Sequence, residues 1–224
     1  MSILDRFLCG KRHASYSVAV WLLLAMVVWM PTAADAEYLG LTPAREAMVA
    51  KSPALSVELG FVSGELADVD YQNIAARVNY RLSDELLLTG TIGSSEFASF
   101  DGIPFGLGLV YHLSNQRISD KVEIAGKAGY HFGDFSFLDT DGDVTSLSLE
   151  LLVSGAQPLM QNGLAWYTNF GYHRLSTDFA NSDSSNEIGY GAGLVLPASF
   201  GEAYAGFELI DDLTFGIGVR YFVQ

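Results

Sequence analysis

From Leu55 onward, hydrophobic residues recur at every second position. The last stretch shows the pattern most clearly. Leu213, Phe215, Ile217, Val219, Tyr221 and Val223 alternate with Thr214, Gly216, Gly218, Arg220 and Phe222. A period of two places the first set on one face of a β-strand and the second set on the other. The same alternation predicts strands over 55–61, 73–82, 86–92, 104–113, 122–132, 145–154, 164–173, 188–196, 203–209 and 213–224. Their lengths approach the roughly 9–11 residues that a tilted strand needs to cross a bilayer core. The connections after strands one, three, five and seven read as long and polar, and those after two, four, six and eight as mostly shorter. That rhythm predicts an all-β, up-and-down antiparallel transmembrane β-barrel over 54–224, with both termini on the periplasmic side. Ten strands is the first count and eight the alternative.

A soluble β-sandwich also alternates, so the composition of the polar face has to decide between the two. A sheet facing water would carry many Lys, Thr and Glu. Here glycine dominates, as in Phe105-Gly-Leu-Gly-Leu109, Tyr190-Gly-Ala-Gly-Leu194 and Phe215-Gly-Ile-Gly-Val219. Inward glycines are expected to make room for long side chains reaching across a narrow lumen. Phe61, Tyr80, Tyr111, Phe132, Trp166, Tyr172 and Tyr221 fall on the opposite face, near strand ends, as interfacial girdles do.

Ahead of the strands the pattern changes. Arg6, Lys11 and Arg12 precede an uninterrupted apolar run, Val18 to Met30. The run is too short to span a membrane as a helix and fits the core of an export signal. Ala34-Asp-Ala36 supplies small residues at −3 and −1, so a signal peptide over 1–36 with cleavage after Ala36 is expected. Cys9, the single cysteine, precedes the apolar run, which leaves no thiol chemistry in the exported chain. Residues 37–53 read as a periplasmic lead-in. Thr42 and Pro43 would cap a short helix over 44–50, in the periplasm or at the barrel mouth.

The chain carries 12 Lys and Arg against 26 Asp and Glu, a formal charge of −14. Three of the basic residues lie in the signal segment, so the remainder is more one-sided still. Such a balance argues against nucleic acid as a partner.

The segment 55–224 resembles the small bacterial outer-membrane β-barrel families typified by the OmpA barrel and the opacity-type, porin-like surface proteins. The resemblance rests on strand rhythm and on the closing Gly216-Ile-Gly-Val-Arg-Tyr-Phe222 segment. It implies a Gram-negative cell surface, outer-membrane lipid and lipopolysaccharide as surroundings, and the barrel-assembly machinery as a partner.

The alternation places Glu58, Arg77, Arg81, Glu123, Lys127, Glu150, Glu208 and Arg220 inside such a barrel. Four acids and four bases would pair, because unpaired buried charges cost several kcal/mol. A salt-bridged polar lumen with a structural or surface-interaction role is therefore expected. The alternative is a narrow, cation-preferring pore. Acidic residues crowd the proposed outer loops, among them Asp139, Asp141, Asp143, Asp178 and Asp183, with no Lys or Arg assigned there. Such a surface attracts divalent cations.

Two motifs touch on chemistry. His112-Leu-Ser114-Asn115 resembles the His-x-Ser-Asn element of lipid A deacylases, a remote alternative. Asp139-Thr-Asp-Gly-Asp143 with Glu150 has acids at positions 1, 3, 5 and 12 of a calcium loop, but its glycine stands at position 4 instead of 6. No catalytic residue, metal site or cofactor is assigned.

Overall fold

A computed structural model describes residues 39–41, 53–66, 69–97, 99–113, 122–137, 140–156, 163–179 and 182–223. The expected signal peptide and the helix expected over 44–50 lie outside these residues. Ten strands run β1 (Leu55–Leu66), β2 (Val69–Arg81), β3 (Leu86–Phe97), β4 (Phe100–His112), β5 (Val122–Phe137), β6 (Thr140–Ala156), β7 (Ala165–Asp178), β8 (Ser182–Ala198), β9 (Gly201–Leu209) and β10 (Leu213–Val223). Each pairs antiparallel with its sequence neighbour, and β1 closes on β10 from Leu55 opposite Val223 to Gly64 opposite Thr214. Closure leaves no strand edge exposed, so every strand has a partner on both sides. Ten is thus the strand count, and eight is set aside.

Strand boundaries at the end holding the termini fall close to those read from the pattern. At the other end the strands run several residues further, and the expected long polar loops there shrink to turns. β5 and β6, for example, stay in register out to Phe137 opposite Thr140. The longer connections lie instead at the termini end, between His112 and Val122 and between Ala156 and Ala165. In the turn before β10, Asp211 takes a left-handed conformation with φ 65°, one that aspartate tolerates better than most residues. Pro104, which has no N–H to donate, sits where the β3–β4 ladder skips from Ile92–Phe105 to Ser95–Gly102.

The barrel is inverted relative to a water-soluble protein. Leu107 (72% exposed), Ile74 (65%) and Ile217 (59%) cover the outer wall, while Glu58 and Arg77 are buried inside at 0% and 2%. The aromatic residues expected on the outside all stand there by register, and Tyr80, Tyr111 and Tyr221 are well exposed near the termini end. A continuous apolar wall of this extent far exceeds the few hundred Å² found on soluble monomers.

The lumen is filled in layers. At the end away from the termini, Val62, Tyr71, Ala75, Phe135, Val144 and Leu175 form an apolar cluster with Leu39 and Leu41. The termini end holds two smaller clusters, Leu87-Val110-Ala125-Leu152 and Ala165-Tyr167-Val195-Tyr204. Most charged side chains occupy the region between, while Glu123 lies beside His112 at the termini end.

Glycine does make room in the lumen, but sideways along the wall rather than across it. Tyr167 on β7 lies over Gly193 on β8 and Gly206 on β9, three positions in one register row. Tyr204 on β9 likewise covers Gly218 on β10 and Gly60 on β1. A Cβ on Gly193, Gly206 or Gly218 would collide with the ring above it.

A Gly218→Val substitution is therefore expected to destabilise the refolded barrel by about 1–3 kcal/mol, the usual range for overpacking. Tyr204→Leu in the same chain should relieve part of that loss. Urea unfolding followed by tryptophan fluorescence checks both, and an unchanged midpoint for Gly218→Val would contradict the stacking.

Candidate functional site

The charged layer follows from strand register. Glu58 on β1 stands directly opposite Arg77 on β2 and Arg220 on β10, and Arg220 stands opposite Glu202 on β9. Four adjacent strands therefore carry a row of alternating sign, the arrangement that favours cross-strand pairs. Arg77 Nη2 donates to Glu58 Oε2 at 2.6 Å, and Arg220 Nε donates to Glu58 Oε1 at 2.7 Å, with Arg220 Nη2 also 2.7 Å from that oxygen as an ion pair. Asn79 Nδ2 adds a second donor to Oε1 at 2.6 Å. Arg220 Nη1 reaches Glu202 Oε2 at a longer 3.5 Å. Glu58 is thus a fully buried carboxylate held by two guanidiniums and an amide.

A second group lines the opposite wall. Lys127 Nζ on β5 stands 3.5 Å from Glu150 Oε1 on β6. Asn169 Nδ2 on β7 donates to Glu150 Oε2 at 3.1 Å and to Glu208 Oε1 on β9 at 2.9 Å. To reach Glu208, the amide passes over β8 at Gly191. A Cβ there would stand 2.5 Å from Asn169 Oδ1 and 2.8 Å from Glu208 Cγ. Near the termini end, His112 Nε2 lies 3.4 Å from Glu123 Oε2. His131 and His173 are buried in the same lumen.

The structure thus brings seven of the eight expected lumen charges into the interior. Arg81 is the exception. It is partly exposed at the termini-end rim, 3.5 Å from Asp84, because β2 ends there and its inward side meets open space. Glu202 takes its place in the layer. It shares the parity of Tyr204, Gly206 and Glu208, and extending the ninth strand by two residues would have included it. The expected balance of four and four accordingly becomes five buried carboxylates (Glu58, Glu123, Glu150, Glu202, Glu208) and three buried cations (Arg77, Lys127, Arg220) among the described residues.

The lead-in also differs from expectation. Residues 39–41, placed by sequence in the periplasm or at the mouth, lie inside the barrel. Leu39 and Leu41 are each 1% exposed. Asn73 Nδ2 donates to the Gly40 carbonyl and Arg77 Nη1 to that of Leu41, both at 3.2 Å. The only sequence signal for this was a pair of alternating leucines in a short polar lead-in.

The acidic residues expected in loops stand on strand extensions. Asp141 and Asp143 belong to β6, Asp178 ends β7 and Asp183 opens β8, while Asp139 lies outside the described residues. Asp134, Asp143 and Asp178 are register neighbours on three successive strands, beyond the apolar band on the outer wall. Hydrogen bonding to Asp134, with a smaller contribution from its like charge, holds the Asp143 carboxyl above the ordinary aspartate range. The region is not wholly acidic, since Arg174 is exposed on β7 opposite Asn186.

The calcium pattern does not come together among the described residues. Glu150, the twelfth position of the calcium pattern, is buried against Lys127 while Asp141 and Asp143 sit on the outside. Among the described residues, no three His, Cys, Asp or Glu side chains stand close enough to hold a metal ion together. His112 points into the lumen, away from any lipid surface, and Ser114 and Asn115 lie outside the described residues.

No family model and no curated protein sequence matches the chain. Solved structures do. The translocator domain of the autotransporter NalP from Neisseria meningitidis aligns over 79% of this chain and 91% of its own, with 14% identity and a TM-score of 0.43. The β domain of the Bordetella autotransporter BrkA aligns over 76% and 99%, with 10% identity and a TM-score of 0.42. The KdgM porin aligns over 75% and 99%, with 9% identity and a TM-score of 0.35. The likeness is one of barrel architecture. It does not reach the finer OmpA-type or opacity-type resemblance.

Removing the hub carboxylate takes from Arg77 and Arg220 their shortest ion pairs in the interior. Glu58→Ala is expected to cost about 3–5 kcal/mol of stability, and Glu202→Ala, whose ion pair with Arg220 is longer, distinctly less. Urea denaturation of both variants in the same lipid or detergent tests the ranking, and equal losses would deny Glu58 its central place.

Proposed function

We propose that this chain is an outer-membrane β-barrel protein with a structural and surface-contact role, closed to solute flow by its salt-bridged lumen. The observation that carries this reading is the placement of the charged layer. Its groups pair along the wall, and an apolar cluster caps it at the end away from the termini. An ion entering from that end meets hydrocarbon before it meets charge. The outer wall supports the membrane location, because only a closed barrel or a helix satisfies its backbone within lipid. An even strand number sets both termini on one side, which on this reading is the periplasm.

On this reading the acidic strand extensions face outward from the cell. They concentrate divalent cations as a diffuse field, not as a chelate, and through those cations meet the phosphates of lipopolysaccharide. Replacing Asp134, Asp143 and Asp178 together by Asn should reduce magnesium-dependent association of the barrel with lipopolysaccharide vesicles. Its folding, read by heat-modifiable gel mobility, should be untouched.

A second reading, a narrow cation-preferring pore, is favoured by the excess of buried carboxylates over buried cations. Planar-bilayer recording of refolded residues 37–224 decides between the two. Folded protein is expected to give no discrete current steps. Cation-selective steps that change with Arg77→Ala or Glu150→Ala would replace the closed barrel with the pore.

A further inference from the structure

We propose that the apolar chamber at the far end of the lumen is a peptide-binding site, and that the chain's own Leu39-Gly-Leu41 is its resident, releasable ligand. This goes beyond the closed-barrel reading, because it concerns what fills one layer and not whether ions cross all of them. Three observations carry it.

The first is that the chamber is built to receive an extended backbone. Its walls come from β1, β2, β5, β6 and β7 through Val62, Tyr71, Ala75, Phe135, Val144 and Leu175. Two donors on β2, Asn73 and Arg77, take the successive carbonyls of Gly40 and Leu41. Recognition therefore combines two leucine-sized apolar sites with two main-chain hydrogen bonds, the division of labour seen in peptide grooves.

The second is that the fit is close. Leu41 Cδ2 stands 2.8 Å from where a Cβ on Gly60 would be, and the Tyr204 hydroxyl 3.0 Å from it, so the absent side chain at Gly60 leaves the room that Leu41 shares with the tip of Tyr204.

The third is a matter of chain length. Leu41 sits beside Gly60, about 17 Å along β1 from its start at Leu55. The chain between Leu41 and Leu55 can reach about 45 Å when extended. The connection therefore does not force the segment into the chamber, and its contacts hold it there.

Arg77 links the two layers. It bonds Glu58 through one nitrogen and the Leu41 carbonyl through another. Departure of the segment leaves the charged layer paired but uncovers its upper face. A peptide of the same chemistry, two leucine-like side chains separated by one small residue, can then take the vacated place.

The test uses the mature chain, which contains no cysteine once the expected leader is removed. In an Ala75→Cys variant the thiol is covered by the docked segment and should react slowly with a water-soluble maleimide. Adding Leu39→Asp and Leu41→Asp should raise the labelling rate about tenfold or more, the ratio corresponding to about 1.4 kcal/mol of docking free energy. A synthetic peptide of residues 37–43 should restore protection. Equal labelling with and without the aspartates, or no rescue by the peptide, would overturn the proposal.

Should the double aspartate variant fail to fold, a Leu41→Cys, Gly60→Cys chain keeps the question open to measurement. It is expected to form an intramolecular disulfide on mild oxidation of the folded barrel. Folded protein that stays reduced would refute the docking. Neither readout depends on conductance, so a silent or a conducting barrel leaves this result to be judged separately.

Discussion

Closing a barrel requires the first and last strands to find each other, and here that meeting is marked by charge. Glu58 and Arg220 are 162 residues apart in sequence and bonded at 2.7 Å across the β1–β10 seam. Because side chains alternate with period two, a slip of one residue along this seam would turn one of the pair out into the apolar wall. A buried charge facing lipid is among the costliest errors a strand can make. The pair therefore specifies register as much as it contributes energy. Arg77 and Asn79 on the other side of Glu58 pass the same constraint to β2.

The remaining layers follow from this one. A desolvated ion pair is stable only when its partners stay fixed, and the apolar clusters above and below hold the walls that carry it. Asn169 plays a comparable part on the opposite wall, where one amide joins two carboxylates on strands that are not neighbours. Polar residues without charge thus finish the interior where charges alone would not match in number. The amino-terminal segment then completes the far layer, using a residue of the charged layer as its anchor.

Much of this architecture was legible from alternation, because an inverted barrel writes its two faces into every second residue. Strand number, the inward parity of Glu58, Arg77, Glu123, Lys127, Glu150, Glu208 and Arg220, and the outward aromatics could all be read that way. Strand ends could not. Where the apolar band of the outer wall ends, the outer face turns polar and alternation fades, so the extensions carrying Asp141 and Asp143 looked like loops. The same fading hid Glu202 at the start of β9 and gave Arg81 a place inside when it stands at the rim. The docking of Leu39 and Leu41 was beyond reach, since it depends on which strands surround them and not on any local period.

The tyrosine rings that lie flat over pairs of glycines have a consequence for how such a wall can evolve. Each ring fills the lumen over the two strands beside its own, so its packing is settled locally along the wall. A hairpin added elsewhere in the circle would widen the bore without unseating Tyr167 or Tyr204. The wall behaves as a set of tiles, each three strands broad, and circumference becomes a property that can change by duplication while the local packing is inherited intact.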